Sequence, residues 1–148
     1  MTVIGIDPGV KGGIAWITDG EPCVEKMPDT LWDLWELIQD IRAISSHPLG
    51  VGETKAMAYL EQVHSSPQMG VVSAFTFGNG FGHLEMGLTA AGIPFTRVRP
   101  QVWQKAMGCM TKGDKNVSKR RAQELFPNMK VTHATADALL IASYGAKQ

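Results

Sequence analysis

The sequence is poor in cysteine and has no long apolar run, and both absences exclude whole classes of protein. Its 148 residues include two cysteines, Cys23 and Cys109, which lie far apart and make neither a disulfide framework nor a CxxC zinc motif. No apolar run approaches the roughly 20 residues that a membrane-spanning helix needs. The start, MTVIGIDPG, lacks the basic and long apolar regions of a secretory signal. We therefore expect a cytoplasmic protein without a membrane partner.

Aromatic and charged residues make up 7% and 19% of the chain, and 44% of the residues are hydrophobic. This balance is typical of a folded, water-soluble domain. A chain of this length buries roughly two-thirds of its unfolded surface, which is enough for a hydrophobic core. Since no repeat, low-complexity stretch or linker interrupts it, we expect a single domain over residues 1–148.

The formal net charge is zero, but the two signs are segregated along the chain. Residues 1–96 contain 4 Lys/Arg and 11 Asp/Glu, whereas residues 97–130 contain 9 Lys/Arg and 2 acids. Two interpretations remain open. The basic segment could form a face that binds a polyanion, or it could pack against the acidic part of the same chain.

The first residues are predicted to form three strands. Thr2–Ile6 is a β-branched apolar run before an Asp-Pro-Gly turn, and Ile14–Ile17 follows two glycines. The hairpin signal Thr-Asp-Gly-Glu at 18–21 leads into a third strand around Cys23–Met27. The chain is therefore expected to begin as an antiparallel meander.

Helices and strands alternate in the rest of the chain. The predicted elements are an amphipathic helix between Asp29 and Ser46 that stops at His47-Pro48, a strand over Ala56–Val63, a strand over Ile93–Val98, a helix from Pro100 to Met107, a basic loop over Cys109–Asn116, a helix over Val117–Phe126, and a final apolar helix, Ala136–Ser143, that starts at Thr132 or His133. The Gly- and Ala-rich stretch from Met69 to Ala91 is either a helix suited to close packing or a flexible segment. These elements predict an α/β fold with a mixed sheet, three antiparallel strands and then alternating strands, flanked by helices.

Three acids stand in apolar surroundings, where a carboxylate is costly unless it is paired or bound to a metal. Asp7 ends the first strand, Glu61 lies in an apolar strand, and Asp137 lies in the apolar final helix. Each has an ordinary explanation: turn chemistry for Asp7, pairing with a buried lysine for Glu61, and the helix dipole for Asp137. If the fold brings the three together, their oxygens would favour a hard divalent cation, above all Mg²⁺.

The motifs around these acids resemble those of the RuvC family of Holliday junction resolvases, in its compact phage-like branch. The matching segments are GIDPG at 5–9 with GGIA at 12–15, LEQV at 60–63 and ADAL at 136–139. The resemblance covers essentially the whole chain, and the three motifs are specific in this order and spacing. It implies an RNase H-like fold and a homodimer that cuts four-way DNA junctions with symmetric nicks, without a nucleotide cofactor.

The resemblance also implies a metal centre of two Mg²⁺ ions, with Mn²⁺ as a substitute, held by Asp7, Glu61 and Asp137. Such families normally have a fourth ligand shortly before the last acid, which is an Asp three residues earlier in many members and a His in some. This chain has Ala134 at that spacing. His133, one residue earlier, could serve instead, or the fourth ligand is missing. Metals in such a centre activate a water and stabilise the leaving 3′ oxygen.

The resemblance further assigns the stretch 70–91 to the helix used for dimerisation, although an apolar helix on a sheet is often only part of the core. It also places His64 near the position that probes the junction centre. His64 could equally be a loop histidine without a role. The basic tract is suited to phosphate contacts, which give affinity and register rather than sequence specificity. Its candidate DNA-binding residues are Lys112, Lys115, Lys119, Arg120 and Arg121. Either Lys112 or Lys115 could neutralise charge on the reacting phosphate.

Three other functions compete with this one. A junction-binding protein without nuclease activity is supported by Ala134. An RNase H-type enzyme that cuts RNA–DNA hybrids would differ in its substrate. A sugar-kinase or actin-like ATPase uses similar acidic strand ends, but it requires two such domains, and 148 residues cannot supply them.

Overall fold

The computed structural model describes residues 1–46, 55–110 and 112–148. Within these ranges the chain forms five strands and five helices. The strands are β1 (Thr2–Asp7), β2 (Gly13–Thr18), β3 (Glu21–Lys26), β4 (Ala56–Glu61) and β5 (Phe95–Val98). The helices are α1 (Leu31–Ile44), α2 (Val71–Ala90), α3 (Pro100–Ala106), α4 (Lys115–Leu125) and α5 (His133–Gly145). No helix within the described ranges has the length and apolar character needed to cross a membrane.

The strands form one mixed sheet in the order β3-β2-β1-β4-β5. The first three are antiparallel neighbours, while β4 pairs in parallel with both β1 and β5. The hairpin between β2 and β3 turns at Asp19 (φ 52°) and Gly20 (φ 90°), as a two-residue turn with positive φ at both positions requires. The predicted meander, mixed sheet and α/β class are confirmed.

Helices cover both faces of the sheet, and a separate apolar core lies under each layer. On one face, α1 and α2 pack on β1 and β4 through residues that are almost fully buried: Ile4, Ile6, Leu34, Ile38, Ile41, Leu60, Leu84 and Leu88. On the other face, α3, α4 and α5 pack together through Trp103, Met107, Ala122, Leu139, Leu140 and Ile141. Both faces being buried explains why β1 is a continuous apolar run rather than an alternating one.

Local hydrogen bonds move several element ends from their predicted positions. Helix α1 starts at Leu31 because the Thr30 hydroxyl accepts from the backbone N–H of Asp33 (3.1 Å). Helix α4 starts at Lys115, two residues earlier than predicted, because the Asp114 carboxylate accepts from the N–H of Asn116 (2.9 Å). Strand β4 ends at Glu61 rather than at residue 63.

The stretch predicted as either helix or flexible segment is helical over Val71–Ala90. The predicted stop signal His47-Pro48 lies outside the described residues, as does one position, Thr111, of the predicted basic loop. The final helix begins at His133, with Thr132 as its N-cap, in agreement with the predicted start.

Candidate functional site

Two of the three singled-out acids lie at the carboxyl ends of neighbouring parallel strands. Asp7 is the last residue of β1 and Glu61 the last residue of β4. The strands are in register with Ile6 opposite Leu60, so the two acids follow at the same edge of the sheet. This edge is where ligand sites form in sheets with parallel strands.

The third acid reaches this edge because α5 lies directly on the first two strands. A Cβ atom on Gly5 would collide with the carbonyl oxygen of Ala138 and the backbone nitrogen of Ala142. A Cβ atom on Gly13 would lie 2.8 Å from the carbonyl oxygen of Ala134. Glycine at both positions therefore permits backbone-to-backbone contact, which brings Asp137 beside Asp7.

The proximity of the acids appears in their acid–base properties. Burial raises the pKa of Asp7 to about 6, and the charge of Asp137 contributes to this shift. Burial and the charge of Asp7 raise the pKa of Glu61 to about 7, although the indole N–H of Trp103 opposes the shift. Burial also raises the pKa of Asp137. The charges of Asp7 and Asp137 thus make ionisation of a neighbouring carboxylate less favourable, as clustered acids do.

Asp137 also carries a buried oxygen without a partner. Its Oδ1 atom is buried, as is the hydroxyl of Ser118 on α4. Neither atom makes a hydrogen bond within the described residues. The Ser118 hydroxyl lies close enough to lower the pKa of Asp137, without completing a hydrogen bond. Buried polar atoms left unpaired in this way call for a water or an ion.

The described residues contain no group of three His, Cys, Asp or Glu side chains already arranged to hold a metal ion. The three acids form a looser cluster. The three acids nevertheless fit a hard cation. They provide oxygen ligands, and a bound cation would relieve the repulsion between their charges. Oδ1 of Asp137 also lacks a hydrogen-bond partner within the described residues.

His133 and Ala134 begin α5 on the same side as Asp137. His133 is exposed, and its charge lowers the pKa of Asp137, so the two side chains are neighbours one turn apart. Ala134, three residues before Asp137, lines a cleft of about 570 Å³ with Lys11, Gly12 and acids of β3 and α1. His133 is therefore near the acids, and its role as a ligand stays a prediction.

The predicted cations have different surroundings in the structure. Lys115 is exposed, and its charge reaches both Asp7 and Asp137, whose pKa values it lowers. Lys119 and Arg120 border a shallow pocket on the outer face of α4, and Lys112 is exposed in the preceding loop.

Other cations of the basic segment are engaged within the chain. Arg121 donates from Nε to the carbonyl oxygen of Met107 (2.9 Å) and pairs with Glu124 (3.1 Å). Arg97 pairs with Glu85 (2.6 Å), and its guanidinium lies 5.5 Å from the ring centre of Phe81. Arg97 thus pairs with the acidic part of the chain, whereas the partners of Arg121 lie within the basic segment itself. The polyanion-binding face stays a prediction.

His64 lies exposed, three residues beyond the end of β4. Two other residues near the acids were missed by the sequence analysis. Trp103 hydrogen-bonds Glu61, and the only signal for it was the need of a buried indole N–H for a partner. Ser118 gave no signal, because a serine in a polar helix is usually exposed.

No family model and no curated protein sequence matches the chain. In structure, however, it is similar to RuvC of T. thermophilus in complex with a Holliday junction substrate. The identity is 17% and the TM-score 0.66, over 99% of this chain and 96% of that one. A second Thermus thermophilus RuvC structure is 19% identical with a TM-score of 0.61, over the same shares of the two chains. The chain therefore has the RuvC-like, RNase H-like fold that the motifs predict.

The raised pKa of Asp7 predicts how the stability of the protein depends on pH. The folded state binds this proton more tightly than the unfolded state does, so the associated stability is present below about pH 4 and is lost as the pH rises through about 6. Asp7→Asn removes the charge. In EDTA at pH 8, we expect the variant to be about 1–3 kcal/mol more stable than the parent by urea denaturation, with the gain vanishing near pH 4. Asp29→Asn, at an exposed acid, is the control and should not show this pH dependence. An equal gain at both pH values would contradict the assigned cause.

Proposed function

We propose that the protein is a divalent-metal-dependent endonuclease that resolves four-way DNA junctions as a homodimer. The observation that carries this proposal is the convergence of Asp7, Glu61 and Asp137 at one edge of a RuvC-like sheet, within reach of the charge of Lys115. Acids that repel one another and a neighbouring cation suit a site in which a metal ion and a phosphodiester meet.

Asp7, Glu61 and Asp137 would hold the metal, with His133 as the proposed fourth ligand. Bound Mg²⁺ or Mn²⁺ supplies activation of a water molecule and charge stabilisation for the leaving oxygen. The ammonium group of Lys115 is suited to neutralise charge on the reacting phosphate. Of the two lysines considered for this role, Lys115 is favoured because its charge acts on both Asp7 and Asp137.

Metal-dependent nicking is the test of this function. With a labelled four-way junction, we expect symmetric nicks in Mg²⁺ or Mn²⁺ and none in EDTA. Asp7→Asn should abolish nicking while leaving junction binding largely unchanged, because the cations of α4 are untouched. Nicking by the variant at the parental rate would reject the metal-site assignment.

The same assay separates the rival functions. A parent protein that binds the junction and never cuts it, in either metal, would identify the non-catalytic junction-binding alternative. Preferential cutting of an RNA–DNA hybrid in competition with the junction would identify an RNase H-type enzyme.

The face of α4 that carries the half-buried Lys119 and the exposed Arg120 is proposed to bind DNA phosphates, together with Lys115 at its start and Lys112 in the preceding loop. We expect the double replacement Lys119→Ala and Arg120→Ala to weaken binding to junction and duplex alike. The slope of log affinity against log salt should fall by about 0.9 for each lost duplex contact. Fluorescence anisotropy over a salt series measures this slope.

Arg121→Ala is the matched comparison, because its guanidinium is already engaged by Met107 and Glu124. We expect Arg121→Ala to lower the free energy of unfolding and to leave the slope of log affinity against log salt nearly unchanged. If the slope of log affinity against log salt falls with Arg121→Ala and not with the double replacement, Arg121 contacts the phosphates and Lys119 and Arg120 do not.

The homodimer is proposed to form on the first half of α2. Val71, Val72 and Phe75 are 86%, 80% and 75% exposed, and the positions of Gly78 and Gly80 face open space. Beside them lies an apolar groove of about 410 Å³, shared with Val10 and Phe77. An exposed apolar face of this kind on a folded domain marks an association surface.

Phe75→Asp tests this surface. A charge at the centre of an apolar interface is costly to bury, so we expect the variant to sediment as a monomer at concentrations where the parent is a dimer. Val102→Asp, which places the same charge on the exposed surface of α3, should leave the dimer intact. A parent that is monomeric throughout would contradict the proposed dimer.

His133 and Ala134 provide the test of the fourth ligand. If His133 binds metal, His133→Ala should slow nicking strongly and raise the Mg²⁺ concentration needed for half-maximal rate. Ala134→Asp should raise activity if position 134 has the family geometry. Normal cutting by His133→Ala together with a large gain from Ala134→Asp would show that position 134 is the ligand site. If neither change matters, three protein ligands suffice.

A further inference from the structure

Trp103 is a fully buried side chain with a polar end at the candidate site. It lies in α3 with 0% exposure and packs in the core beneath α5. Its indole Nε1 donates a hydrogen bond of 2.9 Å to Oε1 of Glu61. A buried indole N–H needs a hydrogen-bond acceptor in addition to good packing of the ring. Here the acceptor is one of the three clustered acids.

The fold fixes this contact from both sides. The N–H of Gln62 donates to the carbonyl oxygen of Val98 (2.7 Å), which aligns the end of β5 with the end of β4. Helix α3 starts two residues later at Pro100, whose φ suits a first helical position. Trp103 is thereby held over Glu61, although 42 positions separate the two residues in the sequence.

We propose that Trp103 is a positioning residue for Glu61. Its indole N–H holds Oε1 and so fixes the rotation of the carboxylate, which leaves Oε2 as the oxygen available for a divalent cation. This inference rests on the proposed function, since it assigns a role within the same site. Partners of this kind, which orient a metal ligand without touching the metal, typically change metal affinity or activity by about 10- to 100-fold when they are removed.

The indole has two roles that can be separated, because its ring fills the core while its N–H serves Glu61. Trp103→Phe keeps an aromatic ring and removes the donor. Replacement of Trp103 by 3-benzothienylalanine keeps the two-ring shape and exchanges the N–H for sulfur, so it retains the packing if the smaller phenyl ring destabilises the fold. Trp35→Phe, at a partly buried tryptophan of the opposite layer, is the matched control.

The experiment measures Mn²⁺ binding by calorimetry and junction nicking for the full chain. We expect both Trp103 replacements to weaken Mn²⁺ binding and slow nicking by about 10- to 100-fold, and Trp35→Phe to change neither. In a Glu61→Gln background, Trp103→Phe should cause no further loss of Mn²⁺ affinity, because the indole acts through the Glu61 carboxylate. A role in packing alone would weaken binding equally in both backgrounds.

The hydrogen bond has its own readout, independent of metal and DNA. The indole N–H resonance that disappears in Trp103→Phe should shift in Glu61→Gln. Parental Mn²⁺ affinity and nicking in the benzothienylalanine protein would overturn the inference while leaving the proposed function standing. A parent that neither binds Mn²⁺ nor cuts the junction would overturn both.

Discussion

Direct backbone contact between α5 and strand β1 determines where Asp137 and helix α4 lie relative to Asp7. With no side chain at Gly5, the helix approaches until Ala138 and Ala142 meet the strand. That approach sets Asp137 beside Asp7 and buries the apolar residues of α5 against the sheet. Helix α4 packs on α5 in turn, which explains how Lys115 comes to act on two acids from a different part of the chain.

The site stores unfavourable electrostatic energy in the folded state. Burial and mutual repulsion make ionisation of Asp7 and Glu61 difficult, and one oxygen of Asp137 is buried without a partner. Nothing in the surrounding cores requires acids at these positions, because hydrophobic burial on both faces already holds the sheet together. Local conflicts of this kind, in an otherwise consistent fold, are expected at functional sites, which is why these acids are the candidates.

The sequence was sufficient to predict the features that depend on neighbouring residues. The apolar run before Asp7 and the turn at Asp19-Gly20 each have local causes, and both were predicted. Element ends were less accurate, because a single cap such as Asp114 moves a helix start by two residues. The partners of Trp103 and Arg121 could not be predicted, since each contact joins segments that only the tertiary fold brings together. The exposure of the first half of α2 could not be predicted either, because an apolar helix can pack against a core or against a partner.

Part of the segregated charge lies on opposite layers of the sheet. Helix α1 carries Asp33, Glu36 and Asp40 on one layer, whereas α4 carries Lys119 and Arg120 on the other. A molecule of zero net charge with this arrangement has an electric dipole, so the field of a polyanion exerts a torque on it before contact. Rotation during approach raises the fraction of encounters in which α4 faces the polyanion at first contact. Because this torque fades beyond the Debye length, about 8 Å at physiological salt, ionic strength would affect the rate of productive encounter separately from the counterions released on binding.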